Sequence, residues 1–163
     1  MAKKGVDINL NTVLIAGAAV FGIVVIRRIM IKLGVLEGKG GQAVQNELAN
    51  PNSPWKPTFY RSAPRGTTIL LITNATANAY AKTIHDAFTL TQDDFNAIQS
   101  VFSKLKTKSQ VSYLAEVFSN RYNEDLLAFL GDGGGILPWD GLSDKNLATI
   151  TDLVKSLPQY NVK

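Results

Sequence analysis

The sequence predicts an all-α fold: one N-terminal helix suited to a membrane, an extended linker, and a compact domain of about five short helices. Three observations predict it. Residues 8–26 run 19 positions without a charge. Residues 37–73 concentrate glycine, proline and aromatic side chains. From residue 74 onward apolar residues return at three- and four-residue spacing, the period of an amphipathic helix. The chain of 163 residues divides accordingly into an anchor over 1–36, a flexible Gly/Pro/aromatic linker over 37–73 and a helical domain over 74–163.

The anchor is read from its apolar heart: Val13, Leu14, Ile15, Val20, Phe21, Ile23, Val24, Val25 and Ile26. A helix over the uncharged run rises about 28 Å, near the hydrocarbon thickness of a bilayer. Helical backbone satisfies its own N–H and C=O groups, which lipid requires. Asn9, Asn11 and Thr12 mark one end. Arg27, Arg28 and Lys32 mark the other, where long cationic side chains reach lipid phosphates. The run ends in basic residues rather than in a small-residue cleavage site, which argues against a removable signal peptide. Apolar residues cover every face, and nothing as hydrophobic stands elsewhere to bury them, which argues against a soluble core helix. Lys3 and Lys4 precede the run, whereas Arg27, Arg28, Lys32 and Lys39 follow it. That bias favours the C-terminal domain on the cytoplasmic or equivalent interior side. Ala18 and Gly22 form a small-xxx-small pair that would let two anchors pack closely.

Gly38, Gly40 and Gly41 interrupt helix at the start of the linker, and a short helical stretch fits residues 42–48. Pro51, Pro54, Pro57 and Pro64 then disfavour helix and suggest extended, polyproline-like chain. Trp55, Lys56, Phe59, Tyr60, Arg61 and Arg65 interleave rings with cations. That pattern suits a groove on a partner protein or a lipid interface, and less well single-stranded nucleic acid; the alternative is that the rings pack on their own domain. Residues 67–73 read as β-like, either an isolated extended segment packed on the helices or the first turn of one.

Five apolar stripes follow. They are Tyr80, Ile84 and Phe88; Phe95, Ile98, Val101, Phe102 and Leu105; Val111, Leu114, Phe118 and Tyr122; Leu126, Leu127, Phe129 and Leu130; and Leu147, Ile150, Leu153, Val154 and Leu157. Thr91 is placed to cap the second helix, with Asp93 and Asp94 in its first turn. Thr107 or Ser109 caps the third, Gly131 ends the fourth, and Ser143 opens the last, which Pro158 stops. Trp139 falls in a turn before the last helix, positioned to cover the core.

Composition narrows the chemistry. The chain has no cysteine, which removes disulfides, thiolate catalysis and cysteine metal sites. A single histidine, His85, gives no histidine cluster. Nine Lys/Arg against three Asp/Glu fall in residues 1–73, and eight against ten fall in residues 74–163, so the basic character belongs to the N-terminal half, a hint that this half meets anionic lipid or nucleic acid. The glycine run near Asp132 lacks the ligand spacing of a calcium loop and the context of a phosphate loop. Lys104, Lys106 and Lys108 read as a solvated cluster, with phosphate or lipid contact the alternative. Glu116 is the one side chain to weigh as a raised-pKa acid of a wall-degrading enzyme, and its helical register places it on a polar face instead. No catalytic residue, cofactor or metal site is expected.

The order of Ala81 to Phe88, Thr91 to Ile98 and Tyr122 to Leu127 resembles a single degenerate annexin-type helical repeat. The resemblance implies a helical packing solution. It does not carry over calcium-dependent lipid binding, because Phe88, Thr89, Leu90 and Thr91 stand where the family's calcium turn needs glycines. The plan as a whole, anchor plus linker plus small helical domain, resembles the minor membrane proteins of icosahedral bacteriophages with an internal lipid layer. That resemblance implies a non-enzymatic structural component of a virion membrane, with the bilayer, capsid or other membrane proteins and its own copies as partners. The other readings are a cellular inner-membrane adaptor and a small wall-degrading enzyme.

Overall fold

The computed structural model describes residues 41–88, 94–132 and 141–160. The expected anchor, with Val13 to Ile26 at its heart and Arg27, Arg28 and Lys32 at its edge, lies outside the described residues, as do Thr91, Asp93 and Trp139. Among the described residues the protein is all-helical, and no helix is long and apolar enough to cross a membrane. The helices are α1 Gly41–Ala49, α2 Asn74–Asp86, α3 Phe95–Lys104, α4 Lys108–Tyr122, α5 Leu126–Asp132 and α6 Asp144–Ser156, with a 3₁₀ turn at Phe59–Ser62. They belong to one compact unit, Gly38–Lys163.

Local chemistry starts each helix. The side chain of Thr73 accepts from the Thr76 N–H at 3.1 Å and opens α2. Asp94, rather than Thr91, caps α3, accepting from the Ala97 N–H at 3.0 Å; a carboxylate at that position also meets the positive end of the helix dipole. Thr107 caps α4 and Ser143 caps α6 in the same way. Asp125 Oδ1 takes the N–H groups of Leu127 and Ala128 at 2.9 and 3.1 Å and begins α5. Asn123, with φ 55°, supplies the left-handed residue that ends α4, its N–H reaching the Ser119 carbonyl at 2.8 Å. Gly131 does not end its helix as expected: α5 runs one residue further, to Asp132, and Gly131 is buried.

The helix α4 is the centre of the domain. Ser109, Gln110, Val111, Ser112, Leu114, Ala115, Val117 and Phe118 are all buried, because α2, the 3₁₀ turn, α5 and α6 pack around it. Ile84, Ile98, Phe102, Leu114, Phe118, Leu126, Leu130 and Ile150 are fully enclosed in the shared core. The chain end is tied to the start of α4: Lys108 N–H donates to the Pro158 carbonyl at 2.9 Å and Ser109 Oγ to the Gln159 carbonyl at 3.0 Å.

Residues 50–66 are not a flexible linker. They form a strap of consecutive turns. Ser53, Lys56 and Phe59 each donate their N–H to the carbonyl three residues back, at 3.1, 3.0 and 3.1 Å. Pro51, Pro54 and Pro57 occupy the second position of those three turns, where a fixed φ near −65° is already correct and no N–H is needed. The expectation of polyproline-like chain missed this because it weighed proline's effect on helix and not its place in a three-residue recurrence. A fourth turn, with the Thr67 N–H on the Pro64 carbonyl at 3.1 Å, places Gly66 at φ 86°, a conformation that a side chain would strain.

Candidate interaction surface

The six linker residues expected to meet a partner are divided by the strap. Trp55 is 1% exposed and its ring lies 5.5 Å from that of Phe102, inside the domain core. Phe59 is 3% exposed and stacks on Tyr160 at 6.3 Å. Both expectations are corrected: these rings are occupied by their own domain, which costs less than leaving them in water, since burying a large aromatic side chain removes some 150–250 Å² from solvent. Lys56 and Tyr60 are half-buried, and Arg61 and Arg65 are exposed.

What remains at the surface is a polar network joining the strap to α4. The hydroxyl of Ser112 donates to the Lys56 carbonyl at 2.5 Å and accepts the Tyr60 N–H at 3.2 Å. Tyr60 OH donates to Glu116 Oε2 at 2.5 Å, Arg61 Nη2 donates to Glu116 Oε1, and Arg61 Nε donates to Tyr60 OH at 3.0 Å. Tyr113 meets the Tyr60 ring edge-on at 5.6 Å, and the Arg61 guanidinium lies 5.3 Å from the same ring. Burial, and then the hydrogen bond to Glu116, raise the Tyr60 pKa. The hydrogen bond to Tyr60 and the charge of Glu116 raise that of Arg61. Glu116 thus has both carboxylate oxygens engaged, one of them by a cation. Ser112, Tyr113 and Glu116 carry no sequence signal as strap partners: Glu116 lies 56 residues from Tyr60.

His85 occupies a second cluster. Its ring stacks on Tyr122 at 4.1 Å and lies 5.6 Å from Phe129, which also meets Phe88 and Phe118. Beside it, Lys82 pairs with Asp86 four residues on and holds that carboxyl below its ordinary pKa. Lys104 and Lys106 are exposed and Lys108 is half-buried, and the Lys104 ammonium stands 6.0 Å from the centre of the Tyr80 ring. Among the described residues, no three His, Asp or Glu side chains gather as metal ligands.

No protein-family model, curated protein or solved structure matches the chain.

Proposed function

We propose that this protein is a non-enzymatic, single-pass membrane protein that holds a helical interaction domain at the bilayer, as a structural component of a virion membrane. The observation that carries the reading is the uncharged run over residues 8–26, closed by Arg27, Arg28 and Lys32. Two features of the domain support it. Only eight residues, 33–40, separate Lys32 from the first residue of α1. And Glu116, the side chain weighed as a catalytic acid, is bound by Tyr60 and Arg61. The virion assignment rests on the resemblance in overall plan.

Carbonate extraction of membranes containing the full chain, followed by protease treatment of sealed vesicles, tests this. The expected result is retention in the pellet and one protected fragment, whose size reports the orientation. Release into the carbonate supernatant would mean that residues 8–26 are buried against protein, and would overturn the proposal.

A further inference from the structure

The junction of α3 and α4 sorts its side chains by position. Leu105, with φ −75° and ψ 140°, and Thr107, with φ −144° and ψ 157°, have extended backbone, in which successive side chains point to opposite sides. Leu105 and Thr107 are buried. Lys104 and Lys106 are exposed and Lys108 is half-buried, so the three lysines share the outer side. Among the described residues none of their ammonium groups pairs with a carboxylate, whereas Arg61 is engaged by Glu116, Lys82 by Asp86 and Lys155 by Glu47. An exposed aliphatic side chain stands beside them. The Gln110 side-chain amide donates to the Leu70 carbonyl at 3.1 Å and accepts the Lys106 N–H at 2.8 Å, so one amide group separates the two backbones. Leu70 is 57% exposed, the one large hydrophobic side chain that is exposed among the described residues. The two stretches that Gln110 joins, residues 48–85 and 95–115, contain no Asp or Glu.

We propose that Leu70 and the three lysines form a face that lies on an anionic lipid surface, with Leu70 entering the headgroup region and the ammonium groups meeting lipid phosphates. A lipid interface answers both halves of the face. The aliphatic side chain gains by leaving water, the ammonium groups gain by nearing anionic headgroups, and the lysine stems lie along the apolar boundary. Nucleic acid would supply the phosphates alone. It has no place for a lone aliphatic side chain, and it is held through exposed rings on which bases stack; among the described residues every aromatic ring is buried or half-buried. The Lys104 ammonium stands over Tyr80, 6.0 Å from the ring centre, which adds an interfacial aromatic residue at the edge of the face. One leucine and three lysines make a weak contact by themselves. It becomes effective where an anchor already holds the domain at a bilayer, and in that respect the inference rests on the membrane reading.

The absence of cysteine lets one attached dye report the contact. Leu70→Cys and Asn120→Cys variants of the full chain are labelled and reconstituted in vesicles of phosphatidylcholine, with or without phosphatidylglycerol and with a spin-labelled lipid as quencher. Asn120 is exposed on α4, roughly 18 Å along the helix from Lys108. In anionic vesicles lipid should quench the dye on Leu70→Cys and spare the dye on Asn120→Cys. Each lysine near an anionic surface favours contact about five-fold, so Lys104→Gln, Lys106→Gln and Lys108→Gln together should lower the contact equilibrium on the order of 100-fold. Omitting phosphatidylglycerol or raising the salt should weaken the quenching in the same way. Equal quenching at the two positions would overturn the proposal, and so would quenching on Leu70→Cys that survives both the three Gln replacements and neutral lipid. Shielding of that dye from aqueous iodide without quenching by lipid would mean that protein, a second copy included, covers Leu70, and would overturn it too. Carbonate extraction of the same vesicles is scored separately. Release with Leu70→Cys still quenched removes the anchor and leaves the face; retention without quenching removes the face and leaves the anchor.

Discussion

The strap over residues 50–66 and the extended run over residues 67–73 are neighbours, and neither contains α-helix, yet they meet the domain in opposite ways. The strap sends Trp55 and Phe59 into the core and has two of its backbone groups held by Ser112. The run leaves Leu70 in solvent; between its ends, Gln110 bonds the Leu70 carbonyl and Ile72 packs against the core. Hydrophobicity alone would rank them the other way, since the run is the more continuously apolar. The difference lies in backbone hydrogen bonding. Proline-led turns satisfy their own N–H groups three residues on, so the strap can lie against a core without orphaned donors. An isolated strand has no such internal solution, and burying it without a partner would cost about 1–3 kcal/mol for each unsatisfied group.

The largest effect that follows is on Trp55. Trp55→Ala should destabilise the domain by about 3–5 kcal/mol, because it empties a site beside Phe102 that the helices cannot fill by collapsing. Leu70→Ala should change stability by less than about 0.5 kcal/mol. Urea unfolding followed by circular dichroism measures both. Comparable losses from the two would mean that the run is as much part of the core as the strap is, and the contrast would fail.

Ser112→Ala comes next. It leaves the Lys56 carbonyl and the Tyr60 N–H without their shared hydroxyl, in a place where Ser112 is fully buried, at an expected cost of about 1–3 kcal/mol. The same measurement on Ser112→Ala in a Trp55→Ala background sharpens the point. If the hydroxyl acts by seating the strap, the two losses should sum to more than the double variant shows.

Much of the helical domain was legible from sequence. The stripes of apolar residues marked α2, α3, α4, α5 and α6, and Thr107 and Ser143 cap where side-chain chemistry suggested. Asp94 was read as a first-turn anion and serves as the cap itself, a shift of a few residues. The strap was misread because two meanings of one pattern compete. Rings between cations suit a foreign groove, and they suit the protein's own core equally well. The recurrence of Pro51, Pro54 and Pro57 every third residue was the signal that separates them, since it specifies turns and turns keep the chain at home. The contact of Tyr60 and Arg61 with Glu116 left no such trace, because no local rule links residues 56 apart.

The smallest expected effect concerns Asp125, where the strap reaches the electrostatics of a helix start. Burial raises the Asp125 pKa, the N–H groups of Ala128 and Leu127 pull it back, and the charge of Lys56 on the strap pulls in the same direction more weakly. A carboxyl whose folded pKa lies above its unfolded value stabilises the fold fully below the unfolded value and loses that contribution as pH rises through the folded one. The folded domain therefore disfavours the ionised form of this half-buried carboxyl. Asp125→Asn keeps an acceptor for both N–H groups and removes the charge, so it should be more stable than the parent at pH 7. The gain should shrink as pH falls through the carboxylate range and vanish below it. Lys56→Gln, which strips the strap's compensating charge, should destabilise the parent at pH 7 and widen the gain from Asp125→Asn. Substitutions at Ile69, Leu70 or Leu71 should leave the pH profile unchanged, since no charged side chain lies in that run. If Asp125→Asn is instead less stable at pH 7, the charge itself is what starts α5, and the dipole of that helix outweighs the cost of burial.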